Sequence, residues 1–454
     1  MKRADSVFGV IEKEGLTTLE IFHNQRQGKF VLRGMKEWDA NVPWDRYMVD
    51  FTPEDILTED YKAVGTATLF ATFSELGLKA YLEQIKQLLQ EGKHHGIEFY
   101  YNSKKNIRAM YCKHVNALGI RNRRHAIRSG GIRRHELDEP EIDVLIDGLN
   151  LARAMAYKNA IVNIPYGGSK ILVQCDPVSL DDFEALGFLA YAIDRARSFT
   201  GPDMGFKPEM ADIMREKFTK NIACGKEGPL GPSGGPTAYG VYLAIKEACN
   251  FFYGNDNLAS RKIAIQGLGA VGYPLAEYLL KDNAKLMVTD IERAKVDNLQ
   301  RKWGDKLVEY VEPENIYTVT ADVFSPCAMG GIITEERINS FKFNKILGAA
   351  NNQLKATSKE AEIELAKKLA DNGILFGIDW AHNTGGVMAG WAEYVFQDNA
   401  SFDKIKPRIE AVCRDNLRKL FDKAKGTGKT PTELAYETVE SAVYNINTEF
   451  SESL

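Results

Sequence analysis

Two lysines stand twelve residues apart in the stretch AMAYKNAIVNIPYGGSK: Lys158, and Lys170 directly after Gly167, Gly168 and Ser169. The compact ammonium of Lys158 suits a carboxylate. A Gly-Gly turn lets backbone approach a ligand closely and presents the next side chain into a cleft. A lysine near a second cation and partly removed from water loses its proton more readily, so Lys170 in that setting could act as a general base near neutral pH. Spacing alone leaves the alternative open that both are solvated surface lysines. A second pattern follows the apolar strand KIAIQ. There Gly267-Leu268-Gly269-Ala270-Val271-Gly272 opens a helix, and the next strand, LMVTD, ends at Asp290, 23 residues past the first glycine. The first glycine permits a tight turn, the second lets backbone approach a pyrophosphate, and the third lets helix and strand pack closely. The diphosphate would sit on the helix N-terminus, where free N–H groups favour negative charge. A carboxylate at Asp290 would accept the ribose hydroxyls and repel a 2′-phosphate, so NAD is favoured over NADP, with Arg293 near enough to soften the preference. A dinucleotide site does not by itself name a reaction.

Helix and strand signals place both patterns. Asp138-Glu139-Pro140-Glu141 reads as a helix start, with a capping Asp, an early Pro and acids in the first turn. Ile142, Leu145, Ile146, Leu149, Ala152 and Met155 then repeat at three and four, predicting about five turns that end near Lys158. Residues 97–115 read as strands, and the Gly- and Pro-rich stretch 225–236 as a domain hinge. Beyond it, a helix over 237–252 and alternating strands and helices to about 377 predict a doubly wound parallel sheet. Two stripes near the C-terminus predict amphipathic helices covering the first domain: Ile405, Ile409, Val412, Cys413 and Leu420, then Leu434, Ala435, Val439, Ala442, Val443 and Ile446. The first hundred residues hold strand-like pieces (LEIFHN, KFVLRG, RYMVDF) and an amphipathic helix over 75–90, but no assignable motif. The expected fold is α/β in two domains: residues 1–232 for substrate binding and oligomerisation, with 1–100 an unassigned extension; 233–385 for NAD in a Rossmann domain; and 386–454 as helices returning to the first domain.

A chain of 454 residues is long enough for two or three domains, each with its own core. With 58 Lys+Arg against 62 Asp+Glu, a formal charge of −4, and 44% hydrophobic and 26% charged residues, it has the composition of ordinary globular domains. No nucleic-acid footprint, secretory leader or membrane span is evident, so a cytoplasmic protein without nucleic-acid or membrane partners is expected. Cys112, Cys175, Cys224, Cys249, Cys327 and Cys413 lack CxxC spacing and read as reduced, mostly buried thiols. No His/Cys/Asp cluster has ligand spacing, so no catalytic metal is expected. His94-His95, at a helix end, read as solvated, and His382 as a residue able to touch substrate.

NIPYGGSK, followed by Cys175-Asp176-Pro177, resembles the signature of the glutamate/leucine/phenylalanine/valine dehydrogenases. SGGIRRH before it, and TGPDMG, TAYGVYLAIKEA, GAANNQL and NTGGVMAG after it, stand in family order, over roughly residues 105–450. Leu172 departs from the usual Gly or Val two residues past the signature lysine. The resemblance implies NAD-dependent, reversible oxidative deamination of an L-amino acid to the 2-oxo acid and ammonia, by a homo-oligomer. It implies that Lys158 binds the α-carboxylate, that Lys170 activates the water attacking the iminium carbon, and that Asp203 moves protons to and from nitrogen. Thr237 and Asn351 match positions that hold the nicotinamide amide and ribose, and Pro326, Cys327 and Ala328 the loop beside the adenosine. Gly131 belongs to the matching GGxR turn.

Four positions match those lining the family's side-chain pocket: Ser129, Gly201, Val387 and Gly390. Glutamate enzymes carry a lysine at the first and a serine at the last; leucine-type enzymes carry leucine and valine. Without that lysine, glutamate's distal carboxylate has no charge partner. Small residues at three of the four positions point to a bulky or extended substrate, aromatic or polar-tailed, unless Arg128, Trp380, His382 or Trp391 refill the space. The other readings are an NAD-binding regulatory or structural protein without turnover, and a dehydrogenase of a substrate that is not an α-amino acid.

Overall fold

The computed structural model describes residues 6–25, 27–50, 52–115, 128–356 and 358–450. Contacts divide the chain into two units. The first is Met1–Gly231 with Glu393–Asn399 and Val443–Leu454, and the second is Pro232–Ala392 with Ala400–Ala442.

The first unit is built on a sheet with nine strands among the described residues: β1 (Thr18–Asn24), β2 (Lys29–Lys36), β3 (Lys62–Val64), β4 (Gly96–Asn102), β5 (Ile107–Lys113), β6 (Arg128–Ser129), β7 (Ile132–His135), β8 (Gly167–Gln174) and β9 (Ser198–Phe199). Their order is β3-β2-β1-β4-β5-β8-β6-β9, with β7 also paired to β8. Every residue of β4 and of β8 is buried, as in strands covered on both faces. One cover is formed by α1 (Val7–Lys13), α2 (Thr66–Glu75), α3 (Lys79–Glu91) and α4 (Glu141–Ile161), whose Phe8, Phe73, Ile85 and Leu149 share a core with Phe99 and Leu172 of the sheet. The other is formed by α5 (Phe183–Arg195), α6 (Pro208–Lys217) and a strap carrying Trp38, Trp44, Tyr47 and Ile56.

The N-terminal extension is thus part of the first unit's architecture: β1 pairs antiparallel with β4, and its helices and strap lie in the cores on both faces. Three local expectations are corrected. RYMVDF makes no strand in its described part. Trp44 and Tyr47 instead pack against Tyr191 of α5, at 5.1 and 5.8 Å, the Tyr47 hydroxyl donates to Asp194 at 2.8 Å, and Met48 turns the chain with φ +60°. The helix expected over 75–90 starts later, as α3 at Lys79: Glu75 closes α2, and Gly77, with φ +73°, separates the two. The start of α4 is Pro140, with no side-chain cap from Asp138; Glu141 is buried and accepts the Val7 N–H (3.0 Å) and the Tyr81 hydroxyl (2.7 Å), tying α1 and α3 to α4.

The second unit is a six-stranded, wholly parallel sheet: β10 (Lys262–Gln266), β11 (Lys285–Thr289), β12 (Val308–Tyr310), β13 (Val323–Pro326), β14 (Lys345–Ile346) and β15 (Leu375–Phe376), in the order β12-β11-β10-β13-β14-β15. This is the doubly wound order, whose direction reverses at β10 and β13. Helices α7 (Gly234–Tyr253) and α8 (Gly272–Lys281) flank it.

The C-terminal helices correct the sequence reading. Phe402–Glu410 and Leu417–Thr427, with the π-turn Ala411–Asn416 between them, lie along α7 of the second unit, and Leu417 and Phe421 join its core. The next helix, Pro431–Phe450, begins in the same unit, where Tyr436 meets Trp380 edge to face at 5.3 Å and its hydroxyl donates to Glu362 at 2.5 Å. Only Glu393–Asn399 and the chain from Val443 belong to the first unit. The apolar face of α7 takes the stripe expected to cover the first domain. His94 is corrected too: it is buried, with its Nδ1 3.0 Å from His114 Nδ1, and burial pushes its pKa down to about 3. No helix of the described residues is long and apolar enough to cross a membrane.

Candidate active site

In the first unit the backbone brings the chemical groups together. Ile171 N–H donates to the Gly131 carbonyl (3.0 Å), Ile132 N–H to that of Gly201 (3.0 Å), and Asp203 N–H to that of Ile132 (3.1 Å). Three segments distant in sequence are thereby laced side by side at the β7–β8 edge. The Lys170 ammonium, 4% exposed, is paired with Asp203 Oδ2, and Asp203 Oδ1 accepts the Met204 N–H at 2.7 Å. Gly131 completes the contact: a Cβ there would stand 2.8 Å from Lys170 Nζ and 3.4 Å from Asp203 Cβ.

Burial pushes the Lys170 pKa down, and Arg133 adds to that; Asp203 and Asp147 oppose without cancelling it. For Asp203, burial favours the neutral acid, but Lys170 and Arg133 outweigh it and hold the carboxyl below its usual range. Lys158, in the last turn of α4, is 8% exposed. The next residue, Asn159, is fully buried and donates to the Gly167 carbonyl (3.0 Å) and to Ser129 Oγ (2.9 Å), fixing the end of α4 to the start of β8.

Of the four pocket positions, Ser129 is buried with its hydroxyl bonded to Asn159, and a Cβ on Gly201 would meet the Ala223 carbonyl at 3.3 Å. Val387 and Gly390 lie on the helix Gly385–Phe396. The residues considered as space-fillers have other contacts: Arg128 Nε donates to the Val115 carbonyl (3.1 Å), Trp380 packs edge to face with Tyr436, and Trp391 lies under Arg408 at 4.6 Å. His382 is fully buried, with Nε2 3.1 Å from the Gly348 carbonyl, which gives it a structural setting.

Arg133 and Asp147 were not singled out by sequence reasoning. Arg133 reaches Asp203 Oδ2 through Nε (3.3 Å) and a terminal nitrogen (3.2 Å), while its other terminal nitrogen is 2.9 Å from Asp147 Oδ2. Two signals were present. Residues 131, 133 and 135 alternate onto one side of a strand. Asp147 precedes Lys158 by eleven residues, three helical turns, on one face of α4.

In the second unit the Gly-rich loop has the shape a diphosphate needs. Gly267 adopts φ +93° with Ala328 so close that a Cβ would lie 2.7 Å from that of Ala328, and around Gly269 nothing lies within 4 Å. Ala270 is exposed, and Val271 and Gly272 open α8. Cys327 N–H donates to the Gln266 carbonyl (2.8 Å), which sets Pro326, Cys327 and Ala328 beside the loop. Asp290, at the end of β11, accepts the Leu268 N–H at 2.6 Å and so braces it. Arg293 points its charge elsewhere, to Asp297 (2.8 Å) and over Tyr310 (3.8 Å). Asn351 Oδ1 accepts from Asn383 Nδ2 (3.1 Å), and Thr237 Oγ1 accepts the Gly386 N–H (3.0 Å). These residues fit a dinucleotide: a recessed turn, an open helix N-terminus and an acid at the next strand's end.

Residues 102–220 match the family described as Glu/Leu/Phe/Val dehydrogenase, dimerisation domain, and residues 282–449 match Glutamate/Leucine/Phenylalanine/Valine dehydrogenase. The chain is 34% identical over 340 residues to leucine dehydrogenase of Thermoactinomyces intermedius (74% of this chain, 86% of that one). It is 31% identical over 364 residues to L-tryptophan dehydrogenase of Nostoc punctiforme (79% and 96%). The crystal structure of L-tryptophan dehydrogenase from Nostoc punctiforme superposes with a TM-score of 0.62 at 28% identity, covering 80% of this chain and 99% of that one. The chain therefore belongs to the Glu/Leu/Phe/Val dehydrogenase family of amino-acid dehydrogenases.

Proposed function

We propose that the protein catalyses NAD-dependent, reversible oxidative deamination of a bulky, non-glutamate L-amino acid. The observation that carries this reading is the buried Lys170–Asp203 pair set against Gly131. Bound NAD would supply the hydride acceptor, held by Gly267, Gly269, Ala270, Val271, Gly272 and Asp290, with Pro326, Cys327 and Ala328 beside the adenosine and Thr237 and Asn351 toward the nicotinamide. The Asp290 carboxylate, with Arg293 engaged elsewhere, favours NAD over NADP. Lys158 holds the substrate α-carboxylate. Asp203 takes a proton from the substrate ammonium, leaving the free amine. Once the iminium has formed, neutral Lys170 takes a proton from the attacking water to give the carbinolamine; Asp203 returns its proton to nitrogen, the C–N bond breaks to release ammonia, and the carbinolamine hydroxyl passes its proton to the vacated Asp203 carboxylate, leaving the 2-oxo acid. The first unit, built on Met1–Gly231, acts as the substrate domain, and the second, built on Pro232–Ala392, as the nucleotide domain.

Ser129 stands where a glutamate enzyme would need a lysine, and its hydroxyl is already bonded to Asn159. Glutamate's distal carboxylate would be left there without a counter-charge, which a large apolar side chain does not need. Relatives named for leucine and tryptophan are consistent with that choice. The family's dimerisation domain supports a homo-oligomer, and a cytoplasmic location fits the composition. The test is NADH formation across L-leucine, L-phenylalanine, L-tryptophan and L-glutamate: a bulky apolar substrate should have the highest kcat/KM. Glutamate leading the panel would overturn the specificity, and no turnover with any amino acid would overturn the activity.

A further inference from the structure

We infer that Arg133 is a positioning residue that lets Lys170 give up its proton without leaving Asp203 a buried, unpaired anion. This rests on Lys170 acting as the base. The guanidinium is 13% exposed and bridges two carboxylates from different elements, Asp203 after β9 and Asp147 on α4. Asp147 is also 3.4 Å from His135 Nε2, and His135 Nδ1 is 2.9 Å from Glu139. Arg133 is therefore held from behind while it holds Asp203.

The physical requirement follows from the chemistry. A lysine that serves as a base must be neutral for part of the cycle. In the state that receives substrate, before Asp203 has taken the ammonium proton, loss of the Lys170 proton leaves Asp203 without its nearest counter-charge, and a lone buried carboxylate would draw that proton straight back. A second cation on the same oxygen removes that pull. Arginine suits the place because it stays protonated and its planar fork reaches two carboxylates at once; a lysine carries the charge but not the fork. Asp203, Arg133 and Asp147 act most strongly on Lys170, and of these three Arg133 is the cation. The same guanidinium also fixes the carboxylate oxygen on which Lys170 is oriented.

The test is the pH profile of kcat and the KM for the best amino acid, measured for the full-length Arg133→Gln and Arg133→Lys variants. Arg133→Gln should lower kcat by about 10- to 100-fold while changing KM only a few-fold, and should move the limb reporting loss of the Lys170 proton up by about one pH unit. Arg133→Lys should return that limb to within a few tenths of a unit and recover part of kcat. NADH binding, followed by fluorescence, should stay at the wild-type level in both and so report an intact second unit. Wild-type kcat with an unmoved limb in Arg133→Gln would overturn the inference, as would equal losses and equal limbs in the two variants. Lys170→Ala distinguishes the two levels. If it turns over like wild type, the reading of Lys170 falls and takes this inference with it; if it is inactive while Arg133→Gln is silent, only the role of Arg133 falls.

Discussion

Lys170 and Lys113 lie on neighbouring strands of one sheet, where Lys113 pairs with Ser169 and Cys112 with Lys170, so the two side chains point to opposite faces. They are 4% and 5% exposed, each is paired with a carboxylate, and burial lowers the pKa of both. What differs is the neighbourhood. Lys170 faces Gly131 and an aspartate shared with Arg133. Lys113 is bonded to Glu98 and covered by the rings of Phe22 (4.8 Å) and Tyr111 (5.5 Å), while Arg195, Glu20 and Glu37 close the network around it. A perturbed lysine marks a chemical site when there is room beside it for a reacting molecule. Where rings and paired charges fill that room, the same perturbation reports architecture.

Removing each lysine should separate the two roles. Lys170→Ala is expected to cost about 10³-fold in kcat, within the range a general base contributes, with little change in unfolding midpoint. Near-wild-type turnover would place the base elsewhere. Lys113→Met should do the reverse. It takes from Glu98 its nearest counter-charge, leaving it Arg195 at 3.6 Å, and breaking a buried pair costs roughly 3–5 kcal/mol of stability in urea titration, while kcat of the folded protein stays within a few-fold. Adding Glu98→Gln should recover most of the loss; an additive second loss would show that the pair is not the unit of stability.

Gly131→Ala sharpens the comparison at the scale of one methyl group. Its Cβ would lie 2.8 Å from Lys170 Nζ, so the ammonium must shift, and displacement on that scale costs about 10²-fold in kcat. An unchanged rate would mean that the space beside Lys170 is not used.

The same contrast explains what could be read in advance. The second unit was legible because its signals are local: KIAIQ, the glycines at 267, 269 and 272 and the acid at 290 dictate turn, helix and strand end within one short stretch of chain. Lys158 and Lys170 stood out through their spacing and the Gly-Gly pair, although Gly167 and Gly168 open strand β8 and make no turn. The extension was opaque because its order is set by distant partners: Tyr47, in RYMVDF, reads as strand until α5 supplies the surface on which it and Trp44 pack. The C-terminal stripes showed that two helices must be covered, but not that α7 would cover the first. Arg133 was hidden for the same reason, since its two carboxylates come from residues 147 and 203.

His135 carries the smallest expected effect and tests the far end of the Arg133 chain. Burial lowers its pKa, but Asp147 and Glu139 outweigh burial and the net shift is upward. A group whose folded pKa lies above its unfolded one stabilises the fold fully below the unfolded value, about 6.5 for histidine, and that stabilisation is lost as pH rises through the folded value. The advantage of wild type over His135→Gln in urea titration should therefore be larger at pH 6 than at pH 8.5. Asp147 and Glu139, whose pKa values are held below the ordinary carboxylate range, stay ionised at both and do not reverse the trend. An advantage that is flat or grows with pH would mean that His135 enters the fold neutral, and that Asp147 is held by Arg133 without a second cation behind it.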